Sequence, residues 1–288
     1  MTQPKISIVT PSYNQAEYIE QTILSVLDQN YDNLDYIIID GGSTDDSQSI
    51  IRRYEDRLSY WVSEPDRGQP HALNKGFSRA TGEFVAYLNS DDLYLPGAFA
   101  AVIEYFQKHP ESNWICGDTL MFGDPSKEDE VIKAIVPRSA AQALSWAYKA
   151  PQPAMFWRRE LLADGFQENW RYCFDHELYV RLLLKGFVCD HLPVTLAAYR
   201  LHQTSKTVAE GHLFDREFDE IAEMYEPQLR GAGRRWCTAT RHLRQSWHAS
   251  ESGRKSEAAR NLMRALLVHP ESIAGKNFWG CLRRLITA

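Results

Sequence analysis

Phe84-Val85-Ala86-Tyr87-Leu88-Asn89-Ser90-Asp91-Asp92 decides the fold: an apolar run of strand length stops in a polar cluster that holds two adjacent carboxylates. Apolar runs of roughly four to eight residues bounded by turn formers read as strands buried on both faces. Working back towards the N-terminus, the same pattern predicts strands at 6–10, 36–39 and 60–63. Helical spacing fills the intervals between them. Asn14 followed by Glu17 makes a cap for a helix carrying Ile19, Ile23, Val26 and Leu27. Ile50, Ile51 and Tyr54 mark a second helix, and a third runs from about Pro70 to Arg79. Short strands alternating with helices give βαβ units and a parallel sheet. Towards the C-terminus, Pro96 opens a helix with Phe99, Val102, Ile103 and Phe106, strands follow near 114–116 and 154–157, and Asp175 begins a helix through Leu178, Leu182 and Leu183. Beyond Lys206 the strand signals vanish, and Ala258, Leu262, Met263, Leu266 and Leu267 form a helical pattern stopped by Pro270. The expectation is an α/β protein. A Rossmann-like, mostly parallel central sheet flanked by helices occupies 1–206, and a helical extension occupies 207–288.

Composition bounds the class. The chain has 288 residues, 44% hydrophobic and 24% charged, as a soluble globular protein does, and no apolar run long enough to span a bilayer. Its start has none of the charged, apolar and small-residue sections of a secretion signal, so a cytoplasmic location is expected. Cys116, Cys173, Cys189, Cys237 and Cys281 are odd in number and widely spaced, and they read as reduced thiols rather than a disulfide framework or a zinc site. Charge is unevenly divided. Residues 1–228 hold 20 Lys/Arg against 35 Asp/Glu, and residues 229–288 hold 12 against 3. A basic segment of that kind meets anionic lipid or nucleic acid, or it is simply a solvated helical face.

Open α/β sheets bind ligands in the crevice at the carboxyl ends of their strands. Two such ends are polar here: Asp40 before Gly41-Gly42, and Asn89-Ser90-Asp91-Asp92. Paired carboxylates suit a divalent cation that neutralises a diphosphate, although adjacent Asp residues also cap helices and turns. Asp40 could accept a hydrogen bond from a base or a ribose, and it could equally form the turn.

Three motifs in order carry a resemblance: Ile8-Val9-Thr10-Pro11-Ser12-Tyr13-Asn14, then Ile38-Ile39-Asp40-Gly41-Gly42-Ser43-Thr44-Asp45, then Ala72-Leu73-Asn74-Lys75-Gly76 leading into Leu88-Asn89-Ser90-Asp91-Asp92. The chain resembles an inverting glycosyltransferase of family 2 with the A-type fold, over about residues 4–206. The resemblance implies a nucleotide-sugar donor, UDP-linked, and an acceptor that is a saccharide or lipid-linked. It implies donor nucleotide contacts at Pro11, Tyr13, Asp40, Asp66, Asn89 and Ser90, and Mg or Mn held by Asp91 with His202 completing the shell. Phosphate or substrate contacts are implied for Lys75, Asp92, Gln152, Arg200 and Lys206, and Trp157-Arg158-Arg159 are expected to face donor or acceptor. Asn89 stands where relatives often carry Asp, which places the metal more heavily on Asp91.

Inversion by direct displacement needs a base for the acceptor hydroxyl. Spacing alone leaves Asp175, His176 and Glu177 open, and the resemblance selects Asp175. The residue before it is Phe174, where the family carries an acid. The basic tail, with Trp236, Trp247, Phe278 and Trp279, is expected to contact an anionic membrane from its inner face, or to pack as ordinary helices. No nucleic acid partner is expected. The competing readings are a sugar nucleotidyltransferase, which would carry a Gly-rich basic loop where Pro11-Ser12-Tyr13-Asn14 stands, and an inactive carbohydrate- or nucleotide-binding scaffold.

Overall fold

In the computed structural model the run Ile6–Ser12 forms strand β1, and every one of its side chains is buried. It pairs in parallel with β2 (Leu34–Asp40) and with β4 (Phe84–Tyr87), and β2 pairs in parallel with β3 (Tyr60–Ser63). Such central strands are mostly apolar because both faces are covered, and among the polar side chains buried in them Ser7 Oγ is paired with Asp35 Oδ2 at 2.6 Å and Thr10 Oγ1 with Tyr36 OH at 3.1 Å. Ile6 and Ile8 pack with Ile19, Ile23 and Val26 of α1 (Ile19–Leu27) and with Phe99 and Val102 of α4 (Ala98–Lys108). Each side chain of this size taken wholly out of water contributes about 1.5–3 kcal/mol. Val9 points to the other face, against α3 (Gln69–Phe77). A Cβ on Gly76 would stand 2.4 Å from Val9 Cγ1, so only glycine allows helix and strand to approach this closely.

The sheet continues β4-β8-β6-β9-β5. β8 (Met155–Arg158) is antiparallel to both β4 and β6 (Trp114–Phe122), and β9 (Cys189–Arg200) lies parallel to β6. β5 (Leu93–Tyr94) closes that side antiparallel to β9, and β7 (Glu130–Ile132) hangs from β6. The parallel arrangement read from sequence therefore holds from β3 to β4, and the rest of the sheet is mixed. Two antiparallel steps through β8 restore the original direction. The C-terminal ends of β1, β2, β3, β4 and β9 consequently share one edge.

Helix starts differ in detail from the sequence reading. α1 begins at Ile19, and Tyr18 in the cap position makes no side-chain cap bond. Asn14 does not cap it: with φ at 52° its side chain turns to the neighbouring loop, where Oδ1 accepts a hydrogen bond from Thr44 N at 2.8 Å. α4 starts after Gly97, left-handed at φ 83°, rather than at Pro96. Between them, α2 (Ser47–Arg52) buries Ser47 and Ile51. α6 (Phe174–Leu184) precedes β9.

The structure describes residues 3–124, 126–145, 147–206 and 210–287. The chain divides into two units, one of Met1–Arg138 with Tyr148–Phe214, the other of Ser139–Ala147 with Asp215–Ala288. This division differs from the one at 206 read from the sequence, and residues 207–209 lie outside the described residues. The short helix α5 (Ala140–Leu144) joins the second unit because Cys237 packs on it, its Sγ 4.0 Å from Leu144 O.

The second unit is helical: α7 (Gly211–Tyr225), α8 (Gly231–Glu251), α9 (Lys255–Val268) and α10 (Lys276–Thr287). Ala239, Leu243, Leu262, Ala265, Phe278 and Cys281 form its core. The aromatic residues read from the tail do not share one environment. Phe278 is core, and Trp247 lies under the Arg284 guanidinium, 3.6 Å from the ring centroid, whereas Trp279 is exposed. The basic charge is also partly cancelled within the unit. Arg241 pairs with Glu223 and Glu226, each at 3.0 Å, and Arg244 pairs with Asp219. A cut at residue 228 had separated these partners; the unit as folded holds 13 Lys/Arg against 9 Asp/Glu. Among the described residues no helix is long and apolar enough to cross a membrane.

Candidate active site

Ser12, Asp40 and Ser63 stand in register at the ends of β1, β2 and β3. Asp40 is fully buried. Its Oδ2 accepts from Gly42 N at 3.2 Å, Ser43 N at 2.9 Å and Ser63 Oγ at 2.6 Å, and its Oδ1 accepts from Ser43 Oγ. A carboxylate satisfied in this way shapes the turn, so Asp40 acts on the site through Gly41 and Gly42. A Cβ on Gly41 would lie 2.6 Å from Asp66 Oδ2 and 3.4 Å from Tyr13 Cδ2. Asp66 is itself held by Gly68 N, 2.7 Å from its Oδ1. Tyr13 is 60% exposed, which leaves a ring face open to a planar ligand beside a backbone with no side chain in the way. Pro11 is buried within β1, opposite Ile39.

The turn after β4 separates the two aspartates that look alike in sequence. Asp92 is fully buried: Oδ1 accepts from Arg200 N at 3.0 Å, Oδ2 from Asn89 Nδ2 at 3.2 Å. Burial first, and then the charge of Asp91, push its carboxyl well above the ordinary range. Asp91 instead reaches the partly exposed side, where its Oδ2 lies 3.0 Å from His202 Nε2. The histidine is fixed twice more, with Nδ1 at 2.9 Å from Thr204 Oγ1 and its ring 4.6 Å from that of Tyr18. Arg200 braces the same turn, donating from Nε to Asp91 O at 2.9 Å and from a terminal nitrogen to Gln21 Oε1 at 2.7 Å, with its guanidinium over Tyr18 and Phe122. Arg200 is thus a structural brace as well as a nearby cation.

One carboxylate oxygen and one imidazole nitrogen meet here, and among the described residues no group of three or more His, Cys, Asp or Glu side chains could hold a metal. A two-ligand half-shell fits a divalent cation that completes its coordination with phosphate oxygens and water, and it does not fit a structural metal. Asp92, expected near substrate, is a buried support for this turn.

A run of amides ties the remaining residues together. Lys206 Nζ donates to Gln69 Oε1 at 2.8 Å, and Gln69 Nε2 donates to Asn89 Oδ1 at 2.7 Å. Asn89 Nδ2 also lies 3.3 Å from Gln152 Oε1, and Gln152 Nε2 donates to Tyr87 O at 2.9 Å. Burial, then the neighbouring charge of Arg171, lower Lys206 below the usual lysine value. Ser90 is buried, and Lys75 is paired with Glu64 at 2.5 Å. Gln69 and Tyr18 were missed from sequence. Gln69 follows directly on the Asp66-Arg67-Gly68 loop, so reading that loop one residue further reaches it.

At the start of α6 the three rival bases are distinguished by burial. Glu177 is fully buried and accepts from Arg181 at 3.1 and 3.2 Å. His176 is buried, its Nδ1 2.7 Å from Tyr148 OH. Asp175 is partly exposed, and its Oδ1 accepts from His176 N at 2.7 Å. Burial first, and then the charge of Asp175, raise the hydroxyls of Tyr87, Tyr148 and Tyr179 far above the ordinary phenol value. Tyr87 feels the charge of Asp92 as well. Trp157-Arg158-Arg159 do not face this edge. Trp157 is core, Arg158 pairs with Glu83 at 2.9 Å, and Arg159 donates to Gly82 O, all at the opposite end of β4.

A family model described as Glycosyl transferase family 2 matches residues 7–169. TuaG of Bacillus subtilis (strain 168), a glycosyltransferase named for teichuronic acid biosynthesis, is 32% identical over 206 residues, which cover 70% of this chain and 81% of that protein. Two solved structures share the fold. S. aureus TarS 1-349 in complex with UDP-GlcNAc matches with a TM-score of 0.69 at 17% identity, covering 93% of this chain and 82% of that one. A mannosyltransferase from Pyrobaculum calidifontis in complex with GDP-Man and Mn2+ matches with a TM-score of 0.64 at 20% identity, covering 99% and 86%. The sheet is that of the A-type glycosyltransferase fold, and the chain belongs to glycosyl transferase family 2.

Proposed function

We propose that the first unit is an inverting, metal-assisted transferase that moves a sugar from a UDP-linked donor to a hydroxyl of a saccharide or lipid-linked acceptor. The observation that carries this reading is the Asp91–His202 pair, 3.0 Å apart at the strand edge that also carries Tyr13, Gly41 and Asp66. The nucleotide-sugars in the two structural neighbours support the donor class, and the Mn2+ in one of them supports the metal. The teichuronic acid role in the name of the Bacillus relative supports a cell-envelope glycan as acceptor.

Tyr13 stacks on the base, Asp66 accepts from the nucleoside, and the Asp40 turn keeps the backbone of Gly41 clear of both. Asp91 and His202 hold Mg or Mn, which when bound offsets the charge that develops on the leaving diphosphate. Lys206, carried on the Gln69–Asn89 amides, adds a cation at the same place. Asp175 takes the acceptor proton as its oxygen attacks the anomeric carbon from the side opposite the leaving group. The new C–O bond forms as the bond to the diphosphate breaks, the electron pair leaves with the nucleoside diphosphate, and the configuration inverts.

Hydrolysis and transfer assays with UDP- and GDP-sugars, with and without Mn, test the reading. Metal-stimulated release of nucleoside diphosphate supports it. No turnover together with no nucleotide binding identifies the chain as a scaffold that has kept the fold.

A further inference from the structure

Helix α9 turns Ala258, Asn261, Leu262 and Ala265 into the core of the second unit. Arg260, Met263, Arg264 and Leu267 are left outside, spaced i, i+3, i+4 and i+7 on one face. Met263 is 62% exposed and Leu267 81%. The adjoining helix α10 buries Phe278 and Cys281 in the same core and leaves Lys276, Trp279 and Arg283 exposed. Two nearby acids are already engaged: Glu251, at the end of α8, with Arg284 and Glu257 of α9 with Arg254, both at 2.8 Å. Among the described residues no ion pair within 4.0 Å engages Arg260, Arg264 or Lys276.

We propose that this face is a docking surface for an anionic bilayer. Long apolar side chains that alternate with cations along one helical face match a lipid interface. The apolar tips enter the acyl boundary, while the guanidinium groups stay at the level of the phosphates. Charge selects the partner. A second copy of the same face would set cations against cations, and a nucleic acid or an anionic glycan would leave Met263 and Leu267 in water. The face shares no residue with the transferase site, so this inference stands apart from the catalytic reading and is tested without any turnover.

Flotation of the full-length protein with vesicles of phosphatidylcholine alone, or with phosphatidylglycerol added, measures it directly. Recovery with the anionic vesicles only is expected. Binding should weaken about fivefold for each of Arg260→Ala and Arg264→Ala, and it should be lost in the Met263→Glu/Leu267→Glu double variant. Val131→Glu, which removes an exposed apolar residue of β7, should leave binding unchanged. Melting curves of each variant show that the fold is intact. Absence of flotation, flotation unaffected by the double variant, or a self-associated protein that the double variant turns monomeric without any lipid binding would each overturn the proposal.

Discussion

Asp91 and His202 are 111 positions apart in the chain, and their side chains meet at 3.0 Å. The contact depends on β9 ending at the same sheet edge as β4, with Arg200 securing the backbone of Asp91. It gives the site one carboxylate and one imidazole.

Removing either member leaves a single protein ligand. His202→Ala and Asp91→Asn should each weaken Mn binding in the presence of UDP by more than the ~10–100-fold that loss of an outer-shell partner costs. Electron paramagnetic resonance titration of free Mn reads this without relying on activity. Unchanged affinity in His202→Ala would remove the histidine from the metal shell.

Asp175→Asn should lower kcat by about a hundredfold or more while KM for the donor moves little, as expected for a lost general base. Its neighbour behaves differently. Glu177→Ala removes the buried carboxylate partner of Arg181, which keeps its hydrogen bond to Gly165 O at 2.7 Å, and should cost about 1–3 kcal/mol of stability in urea unfolding, with the turnover of the folded fraction largely kept. A stable Glu177 variant with a hundredfold lower kcat would transfer the role to that residue.

Asn89→Asp restores the acid common in relatives, and here it should be harmful. Asn89 donates from Nδ2 towards Asp92 Oδ2 and Gln152 Oε1, at 3.2 and 3.3 Å, and an aspartate would present only acceptors to both. A loss of about 1–3 kcal/mol is expected in denaturant unfolding. A variant as stable as the parent would show that the amide network is not what keeps Asn89 in place.

Gly41→Ala tests the nucleotide slot. The new methyl would push on Asp66 and on the Tyr13 ring, so UDP affinity measured by calorimetry should fall about tenfold, the ~1.4 kcal/mol of one well-made contact. The melting temperature should change little.

Stability of the second unit carries a pH signature. Burial above all lowers His242 below its ordinary 6.5, so the folded unit holds it neutral. The unfolded chain takes up a proton first, and the contribution present above about pH 6.5 is lost as pH falls through the lower folded value. Melting curves between pH 8 and 5 should therefore slope less for His242→Gln than for the parent.

Much of the parallel half of the sheet was legible from sequence, because strands buried on two faces are predominantly apolar, as 36–39 and 84–88 are throughout and 6–10 is apart from Ser7 and Thr10. β9 was not. Leu192 pairs with Gly117 and Thr195 with Asp118, so Pro193 and Val194 fall in a register shift, and a proline inside the run hides its strand character. The aspartates show the same limit. Asp91 and Asp92 are equal as letters, and only burial separates the accessible carboxylate from the one that supports the turn. Asp40 was visible as the end of a strand, and of the four hydrogen bonds that turn it inwards three come from the adjacent Gly42 and Ser43, while only that of Ser63 arrives from another strand. The motifs pointed to this strand edge, and the tertiary fold separates the residues along it by burial and hydrogen bonding.

The placement of β9 also orders events in time. A ribosome making this chain at ~5–20 residues per second needs on the order of ten seconds to go from Asp91 to His202, and throughout that interval the emerging β1–β4 half has its carboxylate but not its imidazole. A nascent polypeptide can thus hold the strand edge while the Asp91–His202 contact still waits for β9 to be made and paired.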